Sequence, residues 1–158
     1  FTPAARELYE LVLAAQEASL EASRPGATLP EIHAASVRVL TQGMVDLGLL
    51  KGEVDGLIET EGYRPYYMHG TSHWLGLDVH DVGAYVVRNG TEDPKPRPLA
   101  PGMAYTIEPG IYIAPDAPDA PDAYKGIGIR IEDDVVITSD GYLNLIRAIP
   151  KTADAIEA

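Results

Sequence analysis

An α+β fold, with helices packed on one side of an antiparallel sheet, is predicted by three features of this 158-residue sequence. Two amphipathic helical stretches come first, alternating β-branched stretches come last, and a glycine-punctuated segment joins them. A composition that is 46% hydrophobic supplies a core at this length, so the whole of 1–158 reads as one domain's worth of ordered chain.

Thr2 is placed to cap a first helix with Pro3 in its first turn, where a missing amide proton costs little because first-turn amides have no intrahelical acceptor. Leu8, Leu11, Val12 and Ala15 then recur at helical spacing as far as the Arg24-Pro25-Gly26 break. A second helix starts at Thr28, where Glu31 completes a capping box. Its apolar stripe is Ile32, Ala35, Val39 and Leu40, and Gly48 ends it. From Lys51-Gly52 to Tyr63-Arg64-Pro65 the pattern is short and poorly periodic. Met103 to Ile113 and Ile127 to Ile137 alternate and are rich in β-branched residues, the mark of half-buried strands. The Pro-Asp-Ala tract from Pro115 to Ala123 lacks apolar content for a core and reads as an extended surface loop. A second proline-rich loop runs from Pro94 to Pro101, and Thr152 to Ala158 suits a short terminal helix.

A formal net charge of -12 repels phosphate backbones and anionic membrane surfaces, so neither nucleic acid nor membrane is an expected partner. No apolar run approaches the length of a bilayer crossing. Cysteine is absent, which removes disulfides and thiolate metal sites and is compatible with cytoplasm. Any metal here must bind imidazole and oxygen.

Strand alternation puts Ala104, Thr106 and Glu108 on one face, opposite Met103, Tyr105 and Ile107. In the second strand Gly128, Arg130 and Glu132 lie opposite Ile127, Ile129 and Ile131. If the strands are neighbours, two carboxylates share one space, which requires a shared proton, a cationic side chain or metal ions. A structural ion pair around Arg130, or two solvated glutamates, is the bland alternative.

His69, His73 and His80 fall within 68–81, three of the four histidines in the chain. His69 and His73 are spaced like zinc ligands on one helical face, but Gly70 and Gly76, with Leu75, Leu77 and Val79 alternating, favour a loop entering a strand. His33 on the second helix reads as structural or exposed. A histidine with two glutamates suits manganese, cobalt, zinc or iron. Ser72 lacks the surroundings of a nucleophile elbow. A two-His-one-carboxylate iron site at His73, Asp78 and His80 leaves both strand glutamates unexplained.

The run from His69 to Asp81, the Ile107-Glu108-Pro109-Gly110 strand end and Gly128-Ile129-Arg130-Ile131-Glu132-Asp133 together resemble the C-terminal motifs of Xaa-Pro aminopeptidases. That family groups with prolidase, methionine aminopeptidase and creatinase, and the resemblance implies the C-terminal portion of their pita-bread catalytic domain. By resemblance, His73, Glu108 and Glu132 match ligands of a two-metal site, commonly manganese with cobalt or zinc possible, Glu132 bridging the ions. His69 and His80 match histidines lining the active site, His80 bonding substrate or oxyanion, while Arg130 and Tyr112 match residues that orient the ligands. Two aspartate ligands of the family precede the helix that begins at Thr2, so the resemblance implies a longer chain supplying them, and homo-oligomers. The implied reaction is attack on the bond before proline by a hydroxide held between the ions, Glu108 passing the proton to the leaving nitrogen. Prolidase is the nearest alternative, and a metal-free peptide-binding relative of the same fold is an alternative of another class.

Overall fold

The computed structural model describes residues 1–88, 90 and 93–158. Helix α1 (Pro3–Ala22) starts where Thr2 accepts from the Ala5 amide, with proline in its first turn. In α2 (Leu29–Asp46) both capping-box bonds form: the Thr28 amide donates to Glu31 at 2.7 Å and the Glu31 amide to the Thr28 hydroxyl at 3.4 Å. Gly48 follows with φ +73°, the left-handed turn that releases the chain from the helix. The segment without clear periodicity holds one short helix, α3 (Val54–Glu59).

Among the described residues seven short strands follow: β1 (Val86–Val87), β2 (Lys95–Pro96), β3 (Ala104–Ile107), β4 (Gly110–Tyr112), β5 (Gly128–Arg130), β6 (Asp133–Ile137) and β7 (Tyr142–Asn144). Strands β3, β6 and β7 form an antiparallel sheet, while β1 pairs with β2 and β4 with β5. The two predicted long strands are each interrupted once. At Pro109 the missing amide removes a ladder donor, which splits the first into β3 and β4. The register is nevertheless the same on both sides of the break, with Ile107 opposite Asp133 and Gly110 opposite Arg130. Continued through the gap, that register sets Glu108 opposite Glu132.

The helices cover the apolar side. Leu8, Val12 and Leu40 pack with Ile111, Ile113 and Ile131 behind β4 and β5. Leu20 and Ile32 pack with Tyr105, Ile107, Val135 and Ile137 behind β3 and β6. The glutamate side of the strand pair therefore stays open.

Two expectations need correction. Residues 71–75 do run along β3, with the Glu108 amide donating to the Thr71 carbonyl at 2.8 Å and the Thr106 amide to the His73 carbonyl at 3.0 Å. From Gly76 to Asp81 no strand forms, and Leu77 is fully exposed. The reason is local: the Asp81 carboxylate accepts the Leu77 amide at 3.0 Å, and the Gly76 amide turns back to the Asp78 carbonyl at 3.2 Å. The Pro-Asp-Ala tract is not wholly a surface loop either. Ala120 is buried in the core, Ala117 packs against it, and one turn of 3-10 helix (Asp122–Tyr124) buries Tyr124, whose hydroxyl donates to Glu7.

The chain ends in α4 (Ala153–Glu157), capped by Thr152 as expected. Just before it, Lys151 reaches the fully buried Asp133 carboxylate, which Asn144 also contacts, and the Tyr9 hydroxyl donates to the Lys151 carbonyl at 2.7 Å. Asp133 follows Glu132 directly, so this ion pair pins the strand that carries it. Lys151→Met leaves a buried carboxylate without its cation and is expected to cost about 3–5 kcal/mol. Urea unfolding measures it, and a loss under about 1 kcal/mol, the range of exposed pairs, would show that the pair does not anchor β6.

Candidate metal centre

Three elements deliver the polar side chains. The stretch beside β3 carries His69 and His73, the β3–β4 break carries Glu108, and the β5–β6 break carries Glu132. Ligand atoms of His73, Glu108 and Glu132 all lie within 4.8 Å of one another, the group among the described residues arranged to hold a metal ion. Glu108 is buried, His73 half-buried and Glu132 exposed at its edge. Asp78 lies outside this group, which leaves the two-His-one-carboxylate alternative without its carboxylate.

The hydrogen bonds around the group orient it. His73 Nδ1 lies 3.0 Å from the Trp74 carbonyl, an acceptor, so Nδ1 carries the proton and Nε2 presents a lone pair. That lone pair faces Glu108 Oε1 at 3.1 Å. Two lone pairs at this separation need a proton between them or a metal ion. Ligands about 2.1 Å from one ion and at right angles to each other would be about 3 Å apart, so the spacing suits a shared metal. The donor set fits a divalent ion that takes nitrogen and oxygen.

The other predicted residues surround the three. The Arg130 guanidinium approaches Glu108 Oε2 at 3.3 Å, so the bland ion-pair reading is also realised, although the Arg130 side chain is 48% exposed. Arg130 Nε donates to the Tyr112 hydroxyl at 2.8 Å, and that hydroxyl donates to His69 Nε2 at 2.8 Å, because His69 Nδ1 already donates to the Gly70 carbonyl. Gly110 makes room for this chain: a Cβ there would lie 2.7 Å from the Tyr112 hydroxyl oxygen. The exposed His80 ring packs edge-on to His73, centroids 4.2 Å apart. Ser72 Oγ is buried without a hydrogen-bond partner, so no base activates it.

Sequence reasoning missed the layer beneath. Thr106, wholly buried, accepts from the His73 amide and donates to Glu108 Oε1. Thr71 is hydrogen-bonded to His33, Ser36 and Tyr67, and the Tyr67 ring meets His69 edge-on at 5.1 Å. The available signal for Thr106 was its place two residues before Glu108 on the same strand face. The Thr71 group draws on widely separated segments and left no such signal.

Residues 1–139 match metallopeptidase family M24. The chain belongs to that family. It is 52% identical over 158 residues to the Xaa-Pro aminopeptidase of Escherichia coli (strain K12), covering 100% of this chain and 34% of that protein. It is 51% identical over 157 residues to that of Haemophilus influenzae, covering 99% and 35%. Among solved structures, Pseudomonas aeruginosa aminopeptidase PepP superposes with a TM-score of 0.93 at 52% identity, over 99% of this chain and 34% of that one. A zinc-substituted E. coli aminopeptidase P in complex with product superposes at 0.91. The chain thus spans about a third of the length of the relatives it matches. Its α+β architecture is the pita-bread fold of the family. Among the described residues, no helix is long and apolar enough to cross a membrane.

Burial raises the Glu132 carboxyl above its ordinary value, Glu108 and Asp134 add to the rise, and Arg130 and His73 oppose it. A carboxyl raised in the fold stabilises the metal-free protein below its unfolded value and loses that contribution as pH rises through the folded value. Glu132→Gln should therefore stabilise the metal-free chain at neutral pH and make little difference near pH 4, about where an unperturbed carboxyl titrates. Urea titrations at both pH values test this, and a variant less stable than the parent at neutral pH contradicts it.

Proposed function

We propose that this chain is the C-terminal portion of the catalytic domain of a metal-dependent aminopeptidase that hydrolyses the bond between an N-terminal residue and a following proline. The observation that carries the reading is the convergence of His73, Glu108 and Glu132 ligand atoms within 4.8 Å. Identity of 52% to an Xaa-Pro aminopeptidase supports that substrate class over other members of the family. The proposed holders of two divalent ions, manganese first with cobalt or zinc as substitutes, are these three residues and two aspartates from a preceding segment outside 1–158. When bound, the ions would supply an activated water and polarise the scissile carbonyl. The same reading makes the intact enzyme a cytoplasmic homo-oligomer.

The chain's own residues divide the remaining work. Glu108 is the proposed proton carrier, taking a proton from the attacking water and delivering it to the leaving prolyl nitrogen. Thr106 and Arg130 hold one carboxylate oxygen each, which fixes the plane in which the proton moves. His80 stands exposed at the edge of the site, where its imidazole can donate to substrate or to the developing oxyanion. His69 is held in one tautomer by Gly70 and Tyr112, so its ring forms a fixed wall. Arg130 offsets the two carboxylates.

In the intact enzyme, Glu108→Gln is expected to lower turnover by about 10²- to 10⁴-fold, the usual share of general acid–base catalysis. Xaa-Pro peptides of increasing length give the readout, and wild-type turnover in the variant would remove Glu108 from the proton path. Cleavage confined to dipeptides would turn the assignment to a prolidase. Purified alone, the 158-residue chain should be inactive and nearly metal-free, because three protein ligands do not complete two sites. Metal analysis alongside intact mass tests that, and two tightly held ions on the lone chain would refute the need for outside ligands.

A further inference from the structure

Thr106 stands out among the residues that touch neither the substrate nor the ions in the reading above. It lies on β3 with no exposed surface, on the strand face that also bears Glu108. It is tied to His73 twice, its amide donating to the His73 carbonyl at 3.0 Å and its Oγ1 accepting the His73 amide at 3.1 Å. The same Oγ1 donates to Glu108 Oε1 at 3.1 Å. A hydroxyl has one proton, and with the His73 amide supplying a donor, that proton goes to the carboxylate.

We infer that Thr106 is a positioning residue that sets His73 and Glu108 at a fixed distance and orientation before any metal arrives, which deepens the metal-site reading above and rests on it. Residues 71–75 and β3 are joined by three backbone bonds, from the Leu75, Thr106 and Glu108 amides, and one isolated bridge, Trp74 to Tyr105, and none of these occupies the His73 amide or orients the Glu108 carboxylate. Without the Thr106 side chain, the His73 amide loses its acceptor and the Glu108 carboxylate can rotate about its last bond. The imidazole and carboxylate would then pay ordering entropy on metal binding that the hydroxyl now removes in advance. Arg130 holds only the other oxygen of Glu108, from an exposed position, and cannot replace this link.

The test compares Thr106→Val, which keeps β-branching and removes the hydroxyl, with Thr106→Ser, which keeps the hydroxyl. In the intact protein, Mn2+ and Zn2+ affinities measured by competition with a chelator should fall about 10- to 100-fold for Thr106→Val, the usual effect of losing an outer hydrogen-bond partner of a metal ligand. Thr106→Ser should restore most of the loss. Amide exchange of His73 by NMR, which needs no metal, should speed up in the valine variant and not in the serine variant. Unchanged affinity together with unchanged His73 exchange in Thr106→Val overturns the inference. Equal loss in both variants also overturns it, since packing would then be responsible. If the wild-type protein binds neither ion while the His73 exchange pattern holds, the metal-site reading has failed and the hydrogen-bonded strap is structural alone.

Discussion

Two carboxylates held opposite each other across a broken strand pair are the constraint on which the site depends. Glu108 and Glu132 occupy the gap between β3–β6 and β4–β5, in a register that does not change across it. A continuous ladder would have put ordinary backbone hydrogen bonds at this level. Pro109 removes one donor there, and the chain opens enough for side chains to meet. Helices α1 and α2 fill the opposite side with Leu, Ile and Val, so the glutamates have one direction in which to project.

Opposed like charges need compensation, and the surrounding residues supply part of it. Arg130 touches one oxygen of Glu108, and burial together with Glu108 holds the Glu132 carboxyl above its ordinary range. What is left over is a histidine nitrogen directed at a carboxylate oxygen, a contact satisfied by a shared proton or by a metal ion. A metal centre and an arginine ion pair are thus not competing explanations: the arginine balances charge from the side while the ligand atoms face one another. Membership of a metallopeptidase family fits that division.

The polar layer below explains how side chains on irregular stretches of chain hold one arrangement. His73 sits on a segment joined to β3 by few backbone bonds, and His69 on the turn before it. Thr106 fixes the first, while the Tyr112 hydroxyl, sandwiched between Arg130 and His69, fixes the second. Deeper still, the Asp133 to Lys151 pair ties the end of the chain to the strand bearing Glu132. Each tie joins residues far apart in sequence, so the site is a property of the assembled fold.

The sequence by itself determined the helices, because caps at Thr2 and Thr28 and helical apolar spacing act within a few residues, and it determined which face of each strand bears a glutamate, because alternation is local. Three spaced motifs also marked the family. Tertiary structure decided that Glu108 and Glu132 come opposite each other across the broken strand pair, and that Ala120 enters the core from a tract read as a loop. It also decided that Thr106 and Thr71 lie under the site. These depend on which distant backbone groups and side chains compete for the same hydrogen bonds, and such competition exists only once the chain has folded.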